Sequence, residues 1–259
     1  MTIKFYSPEE KTDYLLSREK KENDHTQGRE EVEGKLLNVN TECIKEKLER
    51  LNAIEVFNGL LVSTSFEVGL EFLIQFFGMG DGTASGVRAS KSNKKFGVSR
   101  FRRYEDDDGQ TRVYEVITKV KKRLPEEVER EIKKRKKEYG IIADDSYAYN
   151  MAYRIHITEC GKPTSIEYKR RTSYIIPSIE GLEYSRDKIK RVTRRSVTKE
   201  IEIPPFLEIQ GENDETYLTG VTLLDLDPKD LSTKTSRDLV TDVWERSSRF
   251  TTGAIPIQE

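Results

Sequence analysis

Histidine, cysteine and tryptophan are nearly missing from this chain, at two, two and one in 259 residues. Two cysteines, Cys43 and Cys160, are too few for a disulfide framework or a Cys/His metal cluster, so both read as plain structural thiols of a reducing compartment. No apolar run approaches the ~18 residues of a membrane-spanning helix. The first residues, MTIKFYSPEEKTDYLL, hold no signal-peptide core. The expectation is an intracellular protein with no membrane partner, cytoplasmic or nuclear, or of a viral factory or virion if the chain is viral. An excess of one charge is missing too: 45 Lys+Arg against 46 Asp+Glu leave a net charge of −1. That excludes a general nucleic-acid coat and a polybasic membrane binder, but not a local basic channel.

What is present in quantity is charge itself. Charged and hydrophobic residues each make up 35% of the chain. The apolar residues cluster and alternate, as a folded chain requires, so the charges must occupy either a wet face or a polar interior. Extended segments are predicted at 30–38, 98–104, 111–121, 151–158, 164–175, 191–203 and 206–211, with a turn at Asp108-Gly109. Helices are predicted at 41–52 with Thr41 as N-cap, at 64–77 with Phe66, Leu70, Leu73 and Phe77 on one face, at 125–139, and near 234–246. The Gly/Ser/Lys-rich stretch 78–97 reads as a loop and fits neither the dinucleotide fingerprint nor the Walker pattern. Residues 1–29 end in the polar stretch SREKKENDHTQGRE and read as an arm, docked weakly or mobile.

Every second side chain of a strand shares a face. Glu31, Glu33 and Lys35 share one face of the first predicted strand, with Val32, Gly34 and Leu36 on the other. Arg100 and Arg102 flank Phe101, and Lys119 and Lys121 flank Val120. Glu167, Lys169 and Arg171 alternate with Ile166 and Tyr168, and Glu208 and Gln210 alternate with Leu207 and Ile209. An ordinary sheet with one solvated face explains any single strand. It does not explain the sorting, in which Glu31, Glu33 and Glu208 fall on the first and last of these strands and basic pairs between them. A closed antiparallel barrel with charges inside explains both features. Its carboxylates are hard oxygen ligands for Mg²⁺ or Mn²⁺, and its Lys and Arg side chains suit phosphoryl oxygens.

These strands resemble the triphosphate tunnel metalloenzyme superfamily. Glu31-Val32-Glu33-Gly34-Lys35 matches its E-x-E-x-K signature, and 111–121 its Lys-bearing middle strand. YRIHITE (153–159) and EYKRRTSY (167–174) are similar to strands of the fungal and protist RNA 5′-triphosphatases of mRNA capping. FLEIQG (206–211) is similar to the final E-x-E strand. The sister CYTH branch, which contains class IV adenylyl cyclases and thiamine or inorganic triphosphatases, shares the first strand and an IPPFLEIEG-like ending close to IPPFLEIQG (203–211).

The resemblance implies an α+β fold, a closed antiparallel eight-stranded β-barrel with flanking helices. The tunnel spans 30–212, after the arm at 1–29 and before a C-terminal helical segment and tail at 213–259. It implies metal ligation by Glu31, Glu33 and Glu208, with Gln210 where the family has a carboxylate. It implies phosphate binding by Lys35, Arg100, Arg102, Lys119, Lys121, Lys169 and Arg171, joined by Arg154, and a water-orienting glutamate at Glu200 or Glu202. His156 is expected to line the tunnel. The expected cofactor is Mg²⁺ or Mn²⁺. The implied activity is γ-phosphate hydrolysis at triphosphate-ended RNA, with an RNA end or nucleoside triphosphate as partner, a guanylyltransferase as capping partner, and a homodimer allowed. The alternatives are a CYTH-type cyclase or triphosphatase, and a tunnel that binds without turnover.

Overall fold

Alternating polar and apolar residues along extended segments build one large sheet with two unlike faces. The computed structural model describes residues 3–20, 29–69, 72, 75, 95–120, 134–143, 146–194, 197–201, 203–234 and 236–250. The strands are β1 (Lys4–Phe5), β2 (Arg29–Leu36), β3 (Ile54–Gly69), β4 (Lys95–Glu105), β5 (Thr111–Val120), β6 (Lys134–Ala143), β7 (Ser165–Ile175), β8 (Leu182–Arg194), β9 (Val197–Glu200) and β10 (Phe206–Gly211). The helices are α1 (Pro8–Lys20), α2 (Thr41–Arg50), α3 (Ser146–Cys160), α4 (Asp214–Leu223) and α5 (Ser236–Phe250). The fold is thus mixed α+β around a large sheet. Its order is β1-β3-β4-β5-β6-β2-β10-β8-β7, with β9 on β8, and β7 pairs in addition with β3. Among the described residues only β1 on β3 is parallel; the other pairings are antiparallel. No described helix is long and apolar enough to cross a membrane.

The apolar faces carry the cores. Val32, Leu182, Tyr184, Leu207 and Ile209 pack under α2 and α4 through Ile44, Leu48, Tyr217 and Val221. Gly34 lies beneath Tyr217, where a Cβ would sit 2.2 Å from the phenol oxygen, so the signature's fourth position has room only for glycine. Phe66, Phe101 and Val116 are covered by Tyr149, Ala152, Tyr153 and Cys160 of α3.

Several expected elements change type. The segment 64–77 was expected to be helical, yet β3 runs through Gly69. Its residues are buried on both faces, so the period of two is masked and Phe66 and Leu70 mimic helical spacing. The expected strand 151–158 is part of α3, because Tyr149, Tyr153, His156 and Cys160 form one helical stripe onto Phe66 and Phe101. The expected helix 125–139 is extended from Lys134 onward, paired to β2 and β5; here sheet partners override the local propensity of a Lys/Glu-rich run. Residues 125–133 lie outside the described residues. The expected strand 191–203 begins earlier, at Leu182, and is split into β8 and β9. Asn40, not Thr41, caps α2, accepting from the backbone N–H groups of Glu42 and Cys43. The arm contains β1 and α1, with Leu15 buried.

Candidate functional site

The polar face converges on a belt of buried charges. On β2, Lys35 directs Nζ to Glu208 Oε2 of β10 at 2.7 Å and to Glu33 Oε1 at 3.5 Å. The register places Lys35 opposite Glu208 and Glu33 opposite Gln210. Burial alone would lower the Lys35 pKa, but the Glu208 and Glu33 carboxylates more than reverse this and hold it raised. Burial works against ionised Glu208 too, yet Lys35 and Arg171 hold it well below the usual carboxylate range.

Asp187 of β8 is the second node. Arg171 donates to it from Nε and Nη2, both at 2.7 Å, and Lys169 donates from Nζ at 2.6 Å. Arg171 Nη2 also lies 3.6 Å from Glu208 Oε1, which joins the two nodes. Burial and the adjacent Arg171 push the Lys169 ammonium down to about 8, against the pull of Asp187. The third node is Arg102 of β4, whose Nη1 donates to Glu115 Oε2 at 2.8 Å, while the Tyr104 hydroxyl donates to the same oxygen. Arg102 Nε is buried and has no hydrogen-bond partner among the described residues. An orphaned buried donor costs about 1–3 kcal/mol, which makes it a natural contact for an incoming anion.

The structure therefore brings Glu33, Lys35, Arg102, Lys169, Arg171, Glu208 and Gln210 to one face, all buried. Arg100 shares that face by register with Ser65 and is half-buried. Glu31 and Lys119 sit in β2 and β5, opposite Lys136 and Glu138, and their side chains are outside the described residues, as are Lys121 and Glu202. Three expectations are corrected. Arg154 is exposed on helix α3 because 151–158 is not a strand. His156 is buried in the aromatic cluster under α3, away from the charged belt. Glu200 is exposed on β9, beyond the β8 edge.

Two groups were missed by sequence reasoning. Glu183, Ser185 and Asp187 alternate with Tyr184 and Arg186 just after the Gly181 turn, a period-two signal as good as the one read in β7. Glu115 was hidden between the apolar neighbours Tyr114 and Val116 in a strand read only for its lysines.

The donor set also bears on a metal. Among the described residues no three His, Cys, Asp or Glu side chains group as a metal cluster. Glu33 and Glu208 nevertheless converge on adjacent strands, and Gln210 sits opposite Glu33. Buried acids on this face (Glu33, Glu115, Glu167, Glu183, Asp187, Glu208) outnumber the buried bases (Lys35, Arg102, Lys169, Arg171) among the described residues. Such a surplus of hard oxygens suits an added hard cation.

No protein-family model matches the chain, and no curated protein matches it. Solved structures share its fold. A protein of Pyrococcus horikoshii superposes with a TM-score of 0.51 at 17% identity, over 81% of this chain and 98% of that one. A conserved hypothetical protein of Pyrococcus furiosus gives 0.50 at 16%, over 81% and 99%. A protein provisionally assigned as an adenylate cyclase from Vibrio parahaemolyticus gives 0.50 at 12%, over 83% and 99%. At these identities the likeness is one of fold.

Proposed function

We propose that this chain is a triphosphate-processing enzyme of the tunnel metalloenzyme kind, a metal-dependent hydrolase acting on the terminal phosphate of a linear triphosphate. The observation that carries the reading is Arg102, a buried guanidinium with an unpartnered Nε beside two more buried cations, Lys169 and Arg171. The pairing cycle β3-β4-β5-β6-β2-β10-β8-β7-β3 supports a closed eight-stranded barrel around them. The fold shared with the provisionally assigned cyclase of Vibrio parahaemolyticus agrees with a triphosphate ligand.

Phosphoryl transfer asks the protein mainly for positioning and charge neutralisation. Arg102 offers Nε and Arg171 its remaining guanidinium donors to phosphoryl oxygens, while Asp187 and Glu115 fix both forks in place. Lys169 is held ammonium-first at neutral pH and adds a point charge. A divalent ion would be held by Glu33 and Glu208 with the Gln210 amide oxygen, and Glu31, two residues before Glu33 on β2, is the further carboxylate that the resemblance implies. When bound it would neutralise charge on the γ-phosphate. Water attacks the γ-phosphorus, the bond to the bridging oxygen breaks, and a diphosphate end and orthophosphate leave. With Glu200 exposed on β9, the carboxylate that orients this water is Glu202 or one of the belt.

RNA-end specificity now has less behind it than triphosphate hydrolysis. YRIHITE was one of two segments favouring the capping branch, and it lies in a helix rather than a tunnel strand. A phosphate-release panel with metal titration decides the substrate, using tripolyphosphate, ATP, thiamine triphosphate and triphosphate-ended RNA. Orthophosphate release that EDTA abolishes supports the reading, and release from RNA alone restores the capping role with its guanylyltransferase partner. Cyclic AMP and pyrophosphate from ATP would replace hydrolysis with cyclisation. Absence of both tripolyphosphate binding and phosphate release from every member of the panel would end the proposal.

A further inference from the structure

We infer that helix α1 is a stopper seated in one mouth of the charged interior, so that a polyphosphate enters only at the opposite rim and only by its end. The inference deepens the triphosphate reading and rests on it for the identity of the ligand.

The helix is well specified locally. The Ser7 backbone N–H donates to Glu10 at 2.7 Å, and the Glu10 N–H donates to Ser7 Oγ at 3.2 Å, a reciprocal capping box with Pro8 in the first turn. The segment is tethered by β1 pairing with β3, by the Tyr6 N–H donating to Glu55 O, and by Lys11 3.8 Å from Glu55.

Its position follows from what it buries. Leu15 is 4% exposed and packs with Phe57, Leu61, Tyr104 and Val113. These four share the face of the charged belt, not the outer face. Leu61 lies opposite Lys169 on one side and Tyr104 on the other, and Tyr104 lies opposite Val113. One step of two residues further along, Ser63 faces Arg102 and Arg102 faces Glu115. On β3, β4 and β5 this face thus changes from polar to apolar within a single step, while Lys169, Arg171 and Asp187 on β7 and β8 stay level with it, and α1 caps the apolar arc. The Tyr14 hydroxyl donates to Glu183 Oε2 at 3.2 Å, tying the helix to the inner wall of β8.

The hydroxyls near α1, those of Tyr14, Tyr104 and Ser185, already donate to Glu183 and Glu115, so a chain of phosphates cannot advance past Leu15, Phe57, Leu61 and Val113 without losing its hydrogen bonds. At the far end, α5 covers the corner made by Leu37, Ile189 and Phe206 through Val240. On the β3–β4 side of that end, Arg100 remains half-exposed two residues beyond Arg102. The geometry makes this rim the entrance and Arg100 its first cation.

Single cysteines in a Cys43→Ser, Cys160→Ser background test the stopper without any substrate. Ser173→Cys lies beside Phe57 at the α1 end, and Ser65→Cys lies beside Arg100 at the other. A negatively charged thiosulfonate should label Cys at 65 about tenfold faster than Cys at 173, and Leu15→Asp should erase that difference by letting α1 open. Should Leu15→Asp fail to fold, Leu15→Ala with Tyr14→Phe serves the same purpose. Equal labelling at the two sites with α1 intact overturns the stopper. A calorimetric arm then compares tripolyphosphate with a long polyphosphate whose two ends are blocked. Binding of the first alone supports end-on entry, and equal binding of both overturns it. Failure of tripolyphosphate to bind would sink the triphosphate reading, while the labelling still decides the stopper.

Discussion

Phe101 and Arg102 are neighbours on β4 and belong to different chemistries. Phe101 is fully buried on the outer face, in edge-to-face contact with Phe66, Tyr149 and Tyr153 at ring distances of 5.3–5.5 Å. Arg102 is buried on the inner face, held by Glu115 and surrounded by other ions. The outer face gains from volume, and any apolar group of similar size recovers most of that gain. The inner face gains little net stability from its ions, because desolvation offsets their attraction. It is nevertheless intolerant of losing one partner. Such a wall is better explained by ligand binding than by folding.

The sharpest way to break this comparison is Asp187→Ala. It strands Lys169 and Arg171 as buried charges and should cost about 3–5 kcal/mol, read as a lowered urea midpoint. Phe101→Leu, an apolar swap on the outer face, should cost only about 1–1.5 kcal/mol. If both variants fall within experimental error of each other, the two faces do not differ as argued.

Next in size is Arg102→Lys. It keeps the positive charge near Glu115 but removes Nε and the planar fork. Tripolyphosphate affinity should fall about ten- to a hundredfold, the loss of one charge-assisted hydrogen bond worth ~1.5–3 kcal/mol. An unchanged dissociation constant would remove Arg102 from the phosphate site.

Gly34→Ala probes the boundary between the faces. The added Cβ would stand 2.2 Å from the Tyr217 phenol oxygen and 3.1 Å from Cζ. Overpacking of this kind costs about 1–3 kcal/mol, and Tyr217→Phe should restore a good part of it. A double mutant no more stable than Gly34→Ala alone would show that the strain lies elsewhere.

The sequence made legible those strands with one wet and one dry neighbour set. In β2, β4, β5, β7 and β10 alternation was clear, and Lys35, Arg102, Lys169, Arg171 and Glu208 could be named from it. Where both faces are buried, as in β3, the period disappears and helix and strand look alike. Where a helix is aromatic, as in α3, its residues have strand propensity, and only the i, i+4, i+7 stripe of Tyr149, Tyr153 and His156 betrays it. Ser7-Pro8-Glu9-Glu10 was a readable helix start, obscured by the polar residues that follow α1. The partnership of Asp187 with Lys169 and Arg171 was not legible at all, since it depends on a register between β7 and β8 that no local pattern encodes.

The smallest expected effect separates the two faces by pH. His156 lies among Phe66, Phe72 and Phe101 at ring distances of 4.5–5.5 Å. Its Nδ1–H donates to the Ala152 carbonyl, and its Nε2 is buried with no partner among the described residues. Burial lowers its pKa below the ordinary 6.5, only partly offset by the Ala152 hydrogen bond. The nearby Tyr149 is pushed up to about 12 by burial, and Tyr153 and Cys160 are raised by burial as well, so none of them titrates in acid. Between the folded and unfolded pKa values the unfolded chain binds a proton that the folded one refuses. Stability contributed here is therefore full above about pH 6.5 and is lost as pH falls through the lower folded value. The belt carboxylates Glu208 and Asp187 are both held below their ordinary values, so their acid loss begins at lower pH. Melting curves between about pH 7 and pH 5 should show wild type losing stability while His156→Phe stays flat, with tripolyphosphate binding equal in the two at neutral pH. A parallel loss of stability in His156→Phe would assign the acid limb to the inner face instead.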